Sequence, residues 1–242
     1  PATPALDEGT LHIRRARLSD FEGRAARLRP LLAPDELDRA DRYRFEGPRR
    51  RFVIGRAVLR SLLGDYLQVS PEEVPLAAGE YGKPYLRGVD PAWLQFNLAH
   101  AGDLLLYAFC RDRPIGIDVE AIRPLEATPF FERTFLTDAE RRLLDTLPPD
   151  SRQRALLVAC VCKEAYGKGV GTGIRDVKGV TLVAPDTLPW FLSLRRGPIP
   201  ARGSRYRLWR FEPDAGYVAV LAAIQPVQTI IGYGVKLARP PT

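Results

Sequence analysis

The stretch PIGIDVE, residues 114–120, is apolar and rich in β-branched side chains, which predicts a β-strand. Side chains alternate between the faces of a strand, so Asp118 and Glu120 share one face while Ile117 and Val119 share the other. Two neighbouring carboxylates raise each other's pKa unless a cation or open water relieves their repulsion. For this strand alone, a solvated edge strand is the simpler interpretation and a cation site is the alternative.

The composition is typical of a soluble globular protein, since 45% of the 242 residues are hydrophobic and 27% are charged. A chain of this length forms one large domain or two of about 120 residues. The net charge of +7 predicts an anionic partner. Charge alone does not choose among nucleic acid, a membrane, a phosphorylated ligand and an acidic protein.

Three cysteines without a regular spacing, and a beginning without the apolar core of a signal peptide, predict a reduced cytoplasmic protein. The most apolar runs, residues 104–110 and 217–224, are far shorter than the roughly 20 residues that cross a bilayer. We therefore expect no membrane span.

In the first half of the chain, hydrophobic periodicity predicts strands and one long helix. The amphipathic pattern over residues 52–67 predicts the helix, and an arginine-rich stretch precedes it. The predicted strands are residues 11–18, 93–98, 104–110 and 115–120. Because the connections between the last three are short, we expect them to form an antiparallel meander.

In the second half, residues 121–129 contain two prolines and no apolar period, which predicts a linker. Thr137 and Glu140 have the pattern of a capping box that starts a helix, and Pro148 and Pro149 must end it. A further helix is predicted from about residue 153 to 168. The strands predicted after it are residues 177–183, 205–211 and 217–224.

Each half thus combines helices with antiparallel strands. We predict an α+β fold of two similar lobes, residues 1–120 and 121–242, related by a pseudo-two-fold axis. Each lobe is expected to be an antiparallel sheet with packed helices.

The stretch ALLVACVCKEAYGK, residues 155–168, predicts a helix whose apolar stripe continues into charged residues. Leu157, Val161, Glu164 and Lys168 share one face. An exposed i,i+4 ion pair, worth about 0.2–0.5 kcal/mol, is the simpler interpretation. Such pairs normally lie on the solvent face, however, and several glycines follow that allow close approach of a ligand. A site at the end of a core helix is therefore the alternative.

Two further stretches place polar side chains in predicted turns. FNLAH, residues 96–100, ends a strand at His100, one of two histidines in the chain. YGKPY, residues 81–85, holds Lys83 in a turn between a glycine and a proline. Taken singly, an exposed histidine and a solvated lysine are the simpler interpretations.

Taken together, YGKPYL, FNLAH, GIDVE and KEAYGK resemble the corresponding segments of the 4'-phosphopantetheinyl transferase superfamily, in its two-lobed, monomeric Sfp-type form. The order and separations agree across roughly residues 40–225. The resemblance implies a holo-[carrier protein] synthase, which transfers the phosphopantetheine arm of coenzyme A to a serine of a carrier protein and releases 3',5'-ADP. It implies Mg²⁺ as the metal, with Mn²⁺ as an alternative.

The resemblance also implies roles for individual residues. Asp118, Glu120 and Glu164 would hold the metal against the coenzyme A pyrophosphate. Glu164, or a water that it orders, would take the serine proton, and Lys168 would support the departing 3',5'-ADP. The remaining coenzyme A contacts would come from His100, which we count as catalytic with Glu164 and Lys168, from Tyr81, Gly82, Lys83 and Pro84, and from Arg51 at the 3'-phosphate.

The sequence departs from the family pattern at four positions around these residues. Cys160 stands where a tryptophan is usual, and Val161 where a serine or threonine is common. Ala99 and Ala101 flank His100 where serines often do. We expect the loss of hydroxyl groups beside His100 to weaken the binding of coenzyme A.

The basic net charge suits an acidic acyl or peptidyl carrier protein as the partner. By resemblance the carrier would dock near residues 130–140, where Phe135 is either a docking or a core residue. A noncatalytic coenzyme A- or carrier-binding protein is the alternative function. A nucleic-acid-binding protein is a third, which no recognised motif supports.

Overall fold

In the computed structural model, the described residues are 5–79, 82–90, 93–123, 129–173, 180–183, 191–196, 206–224 and 226–234. The strands are β1 (Thr10–Arg17), β2 (Leu76–Ala78), β3 (Pro84–Leu86), β4 (Gln95–Ala101), β5 (Leu104–Cys110), β6 (Ile115–Ala121), β7 (Val180–Val183), β8 (Phe191–Arg196), β9 (Tyr206–Phe211), β10 (Tyr217–Ile224) and β11 (Thr229–Gly234). The helices are α1 (Ala25–Leu28), α2 (Pro34–Asp41), α3 (Glu46–Leu67), α4 (Pro129–Phe135), α5 (Asp138–Asp145) and α6 (Pro149–Val170). Mixed helices and mainly antiparallel sheets confirm the predicted α+β class.

The first sheet has the strand order β11-β1-β5-β4. Its one parallel pair joins β1 to β11, with Thr10 opposite Thr229, and the other neighbours are antiparallel. Helix α3 packs its apolar stripe on this sheet, where Ile54, Val58 and Leu63 are fully buried. The amphipathic pattern therefore predicted the buried face of α3 correctly.

Helix α3 begins at Glu46, six residues before the predicted start. Gly47 and Pro48 look like helix breakers in the sequence, but they lie in the first turn. A proline is tolerated there because its missing N–H would have no partner within the helix. As a result, the arginines at positions 49–51 lie within the helix and do not precede it.

The second sheet has the order β6-β10-β9-β8-β7, and α6 packs on one face of it. Strand β6 pairs with β10, with Asp118 opposite Val220. The predicted meander is therefore wrong in its third strand, because β4 and β5 form a hairpin in the first sheet while β6 joins the second. Strand β5 pairs with β1 along one edge and with β4 along the other, so it has no free edge to which β6 could add.

The two sheets face each other across one apolar layer. Ile117 and Val119 contribute to it from β6, together with Leu11 from β1, Leu106 from β5 and Leu221 from β10. The other face of β6 points toward α6 and carries Asp118. Because β11 returns to the first sheet, strand pairing does not follow the order of the chain; the lobe boundary after residue 120 stays a prediction.

The two helices after the predicted linker follow local signals in the sequence. Thr137 caps α5: its side chain accepts from the amide of Glu140 at 3.3 Å, and the Glu140 carboxylate accepts from the Thr137 amide at 2.7 Å. The predicted capping box is confirmed. Helix α6 begins at Pro149, earlier than predicted, with that proline at its first helical position. No helix in the described ranges is long and apolar enough to cross a membrane.

Candidate active site

The candidate site lies where β6 passes beneath the last turns of α6. The contact is between backbones: a Cβ on Gly116 would fall 2.0 Å from the carbonyl oxygen of Ala165 and 2.4 Å from the amide nitrogen of Gly169. Only a glycine at position 116 allows this approach. It brings the carboxylate of Asp118, two residues further along β6, to the side chain of Lys168.

Asp118 and Lys168 form the central ion pair of the site. The Lys168 ammonium donates to Oδ1 of Asp118 at 2.6 Å, and the exposed fractions of the two side chains are 31% for Lys168 and 6% for Asp118. Burial raises the pKa of Asp118, and the charge of Lys168 opposes that rise. Oδ2 of Asp118 is buried and has no hydrogen-bond partner in the described part of the chain.

The other two predicted carboxylates are electrostatically coupled to Asp118. Burial raises the pKa of Glu164 to about 7, with further contributions from the negative charges of Asp118 and Glu120. Burial and then the charge of Asp118 raise the pKa of Glu120. The structure thus brings the three carboxylates that were predicted as metal ligands into mutual electrostatic reach.

The donor set has the chemistry of a hard divalent cation site. The three carboxylates are electrostatically coupled, and one of them has a buried oxygen without a hydrogen-bond partner in the described part of the chain. A cation that prefers oxygen ligands would stabilise them. Across the described ranges, no three His, Cys, Asp or Glu side chains are already arranged to hold a metal ion. The ammonium of Lys168 occupies Oδ1 of Asp118, so a metal ion bound at that oxygen would compete with this lysine.

Two basic side chains from the first half of the chain lie near the same point. His100 is exposed at the end of β4, and its pKa is lowered by desolvation and then by the positive charges of Arg51 and Lys168. Arg51 is half-buried on α3, and its Nε is a buried donor that has no partner among the described residues. This arrangement supplies the positive charges of Arg51 and Lys168, together with an imidazole, beside the carboxylates, as a phosphate-rich ligand requires.

Lys83 connects the turn before β3 to the end of α6. Its ammonium donates to the backbone carbonyl of Lys168 at 2.6 Å, and burial lowers the pKa of Lys83. Within the same turn, Gly82 has a positive φ of 75° and Pro84 begins β3. Tyr81, also predicted to contact coenzyme A, lies outside the described residues. The predicted phosphate contacts of this turn stay predictions.

Asn97 is a site-positioning residue that sequence reasoning missed. Its side chain is 4% exposed, and Oδ1 accepts from the amide of Ile117 at 2.9 Å. Strand β6 is an edge strand of the second sheet, so Asn97 satisfies a backbone donor that no neighbouring strand reaches in the described part of that sheet. An amide side chain between Phe96 and Leu98 was the available signal.

Lys163, adjacent to Glu164, was also missed. It is fully buried, and its ammonium donates to the carbonyl of Phe135 at 2.6 Å and to Oε2 of Glu140 at 2.7 Å. The lysine thereby fixes the junction between α4 and α5 against α6. Its position within an apolar helical run was the available signal for a buried partner.

The residues that depart from the family pattern lie in apolar layers. Ala99 and Ala101 are buried between the sheets, on the face of β4 opposite to His100. Their positions therefore do not support the predicted loss of hydroxyl contacts to phosphate. Cys160 and Val161 both lie on α6 and are buried in two different apolar clusters, and burial raises the pKa of Cys160 to about 12.

The predicted docking segment is partly core. Phe135 and Leu136 are buried against Leu144 and Cys160, which favours the core interpretation that was left open for Phe135. The side chains of Phe130 and Phe131 lie outside the described residues. Leu143 on α5 is 62% exposed, so it places an apolar side chain on the surface of this region.

Comparison with known proteins assigns both halves of the chain to the same family. Residues 23–111 match the model of the 4'-phosphopantetheinyl transferase N-terminal region, and residues 114–221 match that of the 4'-phosphopantetheinyl transferase superfamily. The chain belongs to the 4'-phosphopantetheinyl transferase superfamily.

Individual relatives agree with this assignment. The 4'-phosphopantetheinyl transferase HetI of Nostoc sp. is 34% identical over 223 residues, covering 92% of this chain and 91% of that protein. A phosphopantetheinyl transferase of Thraustochytrium sp. is 30% identical over 178 residues, covering 67% of this chain and 60% of that protein. The 4'-phosphopantetheinyl transferase Sfp of Bacillus subtilis is 28% identical over 115 residues, covering 46% and 50%. The predicted resemblance to the Sfp type is confirmed.

Proposed function

We propose that this chain transfers the 4'-phosphopantetheine arm of coenzyme A to a serine of an apo carrier protein and releases 3',5'-ADP. Membership of the superfamily supports the class of reaction. The observation that carries the proposal is the convergence of Asp118, Glu164 and Lys168 at the contact between β6 and α6. A phosphoryl group is transferred chiefly by positioning and electrostatics, which such a cluster provides.

The metal assignment forms part of this proposal. Asp118, Glu120 and Glu164 would hold Mg²⁺, with Mn²⁺ as an alternative, because hard oxygen donors and a negative local charge suit such ions. When bound, the ion would neutralise charge on the pyrophosphate of coenzyme A.

Basic side chains would bind and orient coenzyme A. Lys168 lies at the acidic cluster, and His100 and Arg51 affect the same region from the first half of the chain. Their donors suit the pyrophosphate and 3'-phosphate oxygens, and Lys83 with its turn lies beside Lys168. The two halves of the chain would thus hold the substrate between them.

Glu164 is the proposed base for the carrier serine. In the metal-free chain, burial and the charges of Asp118 and Glu120 raise its pKa to about 7; the charge of a bound ion would lower this pKa, so Glu164 would be ionised and able to accept a proton. As the serine oxygen forms its bond to phosphorus, Glu164 takes the hydroxyl proton. The bond from phosphorus to the 3',5'-ADP oxygen breaks, and the ammonium of Lys168 would stabilise the charge on that leaving group.

The proposed partner is an acidic acyl or peptidyl carrier protein that docks on α5. The chain carries a net charge of +7, so complementary charge would accelerate and orient association. Leu143 offers an exposed apolar contact, and Arg142 beside it is exposed as well. We further propose a cytoplasmic monomer in which residues 1–120 bind the nucleotide and residues 121–242 bind the carrier.

The test is the intact mass of an apo carrier protein after incubation with this chain, coenzyme A and Mg²⁺. We expect a gain of one phosphopantetheine, which EDTA or Glu164→Gln abolishes. Glu72→Gln, which changes an exposed carboxylate in the turn Pro71–Glu73, where no site residue is predicted, is the matched control and should retain activity. No gain with several carriers, despite measurable binding of coenzyme A, would favour the noncatalytic binding protein.

A further inference from the structure

Asp118, one of the carboxylates proposed to bind the metal, already forms an ion pair with a lysine. The ammonium of Lys168 lies 2.6 Å from Oδ1 of Asp118, whose side chain is 6% exposed. A buried carboxylate without a nearby positive charge is strongly destabilising, so Lys168 is the group that stabilises Asp118 in this arrangement. The second oxygen, Oδ2, is buried without a hydrogen-bond partner in the described ranges, which leaves the acid incompletely satisfied.

The backbone and the side chain of Lys168 are constrained differently. Lys83 donates to the Lys168 carbonyl at 2.6 Å, and Gly171 ends α6 in a left-handed conformation just beyond it. The main chain is therefore fixed at this point. The Lys168 side chain is 31% exposed, so its ammonium can leave Asp118 by side-chain rotation while α6 stays intact.

We propose that Lys168 is a resident counter-ion of the metal site, which occupies Asp118 until a divalent cation and the pyrophosphate of coenzyme A arrive together. The cation takes over Asp118, and the pyrophosphate takes over the ammonium of Lys168. This inference rests on the proposed function, because that proposal assigns the metal to Asp118. Its consequence is that the chain alone binds the metal weakly, and that metal and coenzyme A strengthen each other's binding.

The test is the affinity for Mn²⁺ in the absence of coenzyme A, measured by calorimetry and by the electron paramagnetic resonance signal of unbound Mn²⁺. Lys168→Met should bind Mn²⁺ more tightly than the unaltered chain, by about 5- to 150-fold, the usual range for coupled sites. Lys168→Arg keeps the charge and should stay weak. Lys168→Gln is uncharged but can still donate to Asp118, and it provides the same test should the methionine variant not fold.

Arg51→Met is the matched control. It removes a charge of the same sign that acts on His100 beside the site, but among the described residues Arg51 forms no ion pair with Asp118, and it lies on α3. Equal tightening in Arg51→Met and Lys168→Met would show a general charge effect and overturn the inference. Unchanged affinity in both Lys168→Met and Lys168→Gln, or tightening in Lys168→Arg, would overturn it as well.

Thermal unfolding gives a second measurement. Without metal, Lys168→Met should unfold at a lower temperature than the unaltered chain, and Mn²⁺ should raise its Tm by more. An equal rise in both proteins would count against the counter-ion. If instead the unaltered chain bound no Mn²⁺ even with coenzyme A, or if Asp118→Asn bound Mn²⁺ normally, the metal assignment of the proposed function would fail. These outcomes differ from those that overturn the counter-ion role of Lys168 alone.

Discussion

The backbone of Gly116 in β6 lies directly against that of Gly169 in α6. A Cβ on Gly116 would fall 2.4 Å from the Gly169 amide nitrogen and 2.9 Å from its Cα. Carbon atoms do not approach backbone atoms this closely, so any side chain at position 116 must push the strand and the helix apart. The contact thus sets the separation between the strand that carries Asp118 and the helix that carries Glu164 and Lys168.

We expect Gly116→Ala to lower the free energy of unfolding by at least about 3 kcal/mol, at the upper end of overpacking costs. Urea unfolding measures this change. Gly47→Ala is the matched control, because nothing lies within 4 Å of a Cβ at that helical position. Its stability should be unchanged or raised by about 0.5–1 kcal/mol. Equal changes in stability for Gly116→Ala and Gly47→Ala would show that the close contact at Gly116 does not set the separation between β6 and α6.

Lys163→Met should destabilise the chain by about 3–5 kcal/mol, because it removes the ammonium from a buried carboxylate. Lys163 and Glu140 are both buried, and their charged atoms are 2.7 Å apart. The double variant with Glu140→Gln should recover part of the loss in a double-mutant cycle. Arg141→Met, which removes a more exposed ion pair with Asp138 on α5, should cost about 0–1 kcal/mol. A small effect of Lys163→Met would show that its ion pair does not hold the α4–α5 junction.

Aspartate substitutions at Phe135 and Leu143 should separate core from docking surface. Phe135→Asp places a charge in the buried cluster of α6 and should unfold the chain. Leu143→Asp changes a side chain that is 62% exposed, so stability should stay within about 0.5 kcal/mol while the KM for carrier protein rises. Circular dichroism and transfer kinetics measure both. An unchanged KM for Leu143→Asp would move the docking surface away from this residue.

The charged residues of the site were predictable because their arrangement within each element depends only on local sequence periodicity. Asp118 and Glu120 share a strand face, and Glu164 and Lys168 share a helix face, by the periodicity of those elements alone. The structure adds that the two faces meet. The capping box at Thr137 was predictable for the same reason, since its two hydrogen bonds join residues three positions apart.

Pairing between distant segments was not predictable in this way. The alternation in β6 is equally compatible with pairing to β5 or to β10, but β1 and β4 occupy both edges of β5, so β6 pairs with β10. The hydrogen bond from Ile117 to Asn97 spans 20 residues and connects two sheets, so no local pattern announces it. The ion pair between Lys168 and Asp118 spans 50 residues, and it likewise depends on the contact between Gly116 and Gly169.

Ala99→Ser should not tighten the binding of coenzyme A. Ala99 is 4% exposed in the apolar layer between the sheets, so the new hydroxyl would enter that layer and not the side of β4 that carries His100. We expect a loss of about 1–3 kcal/mol in stability from the buried hydroxyl and no gain in affinity. Calorimetry with coenzyme A measures the Kd. A clearly lower Kd would restore the family-based expectation that a hydroxyl here contacts phosphate.

His12 should make the chain sensitive to acid. Its ring is fully buried on β1, with Nδ1 2.7 Å from the Tyr66 hydroxyl and Tyr233 against its edge. Burial, followed by the charge of Arg14, lowers the pKa of His12 from 6.5 to about 4, although Asp7 acts in the opposite direction. Between these two values the unfolded chain binds a proton that the folded chain does not, so stability is present above pH 6.5 and falls as the pH approaches 4.

The contribution of His12 lost over this pH window is about 2–3 kcal/mol. Urea unfolding at a series of pH values should therefore show a shallower decline for His12→Gln than for the unaltered chain. His100→Gln, which changes the other histidine of the chain at an exposed position, should keep most of the original slope. The same slope in His12→Gln and the unaltered chain would mean that the imidazole takes up a proton within the folded structure, and that its buried contact with Tyr66 opens before the chain unfolds.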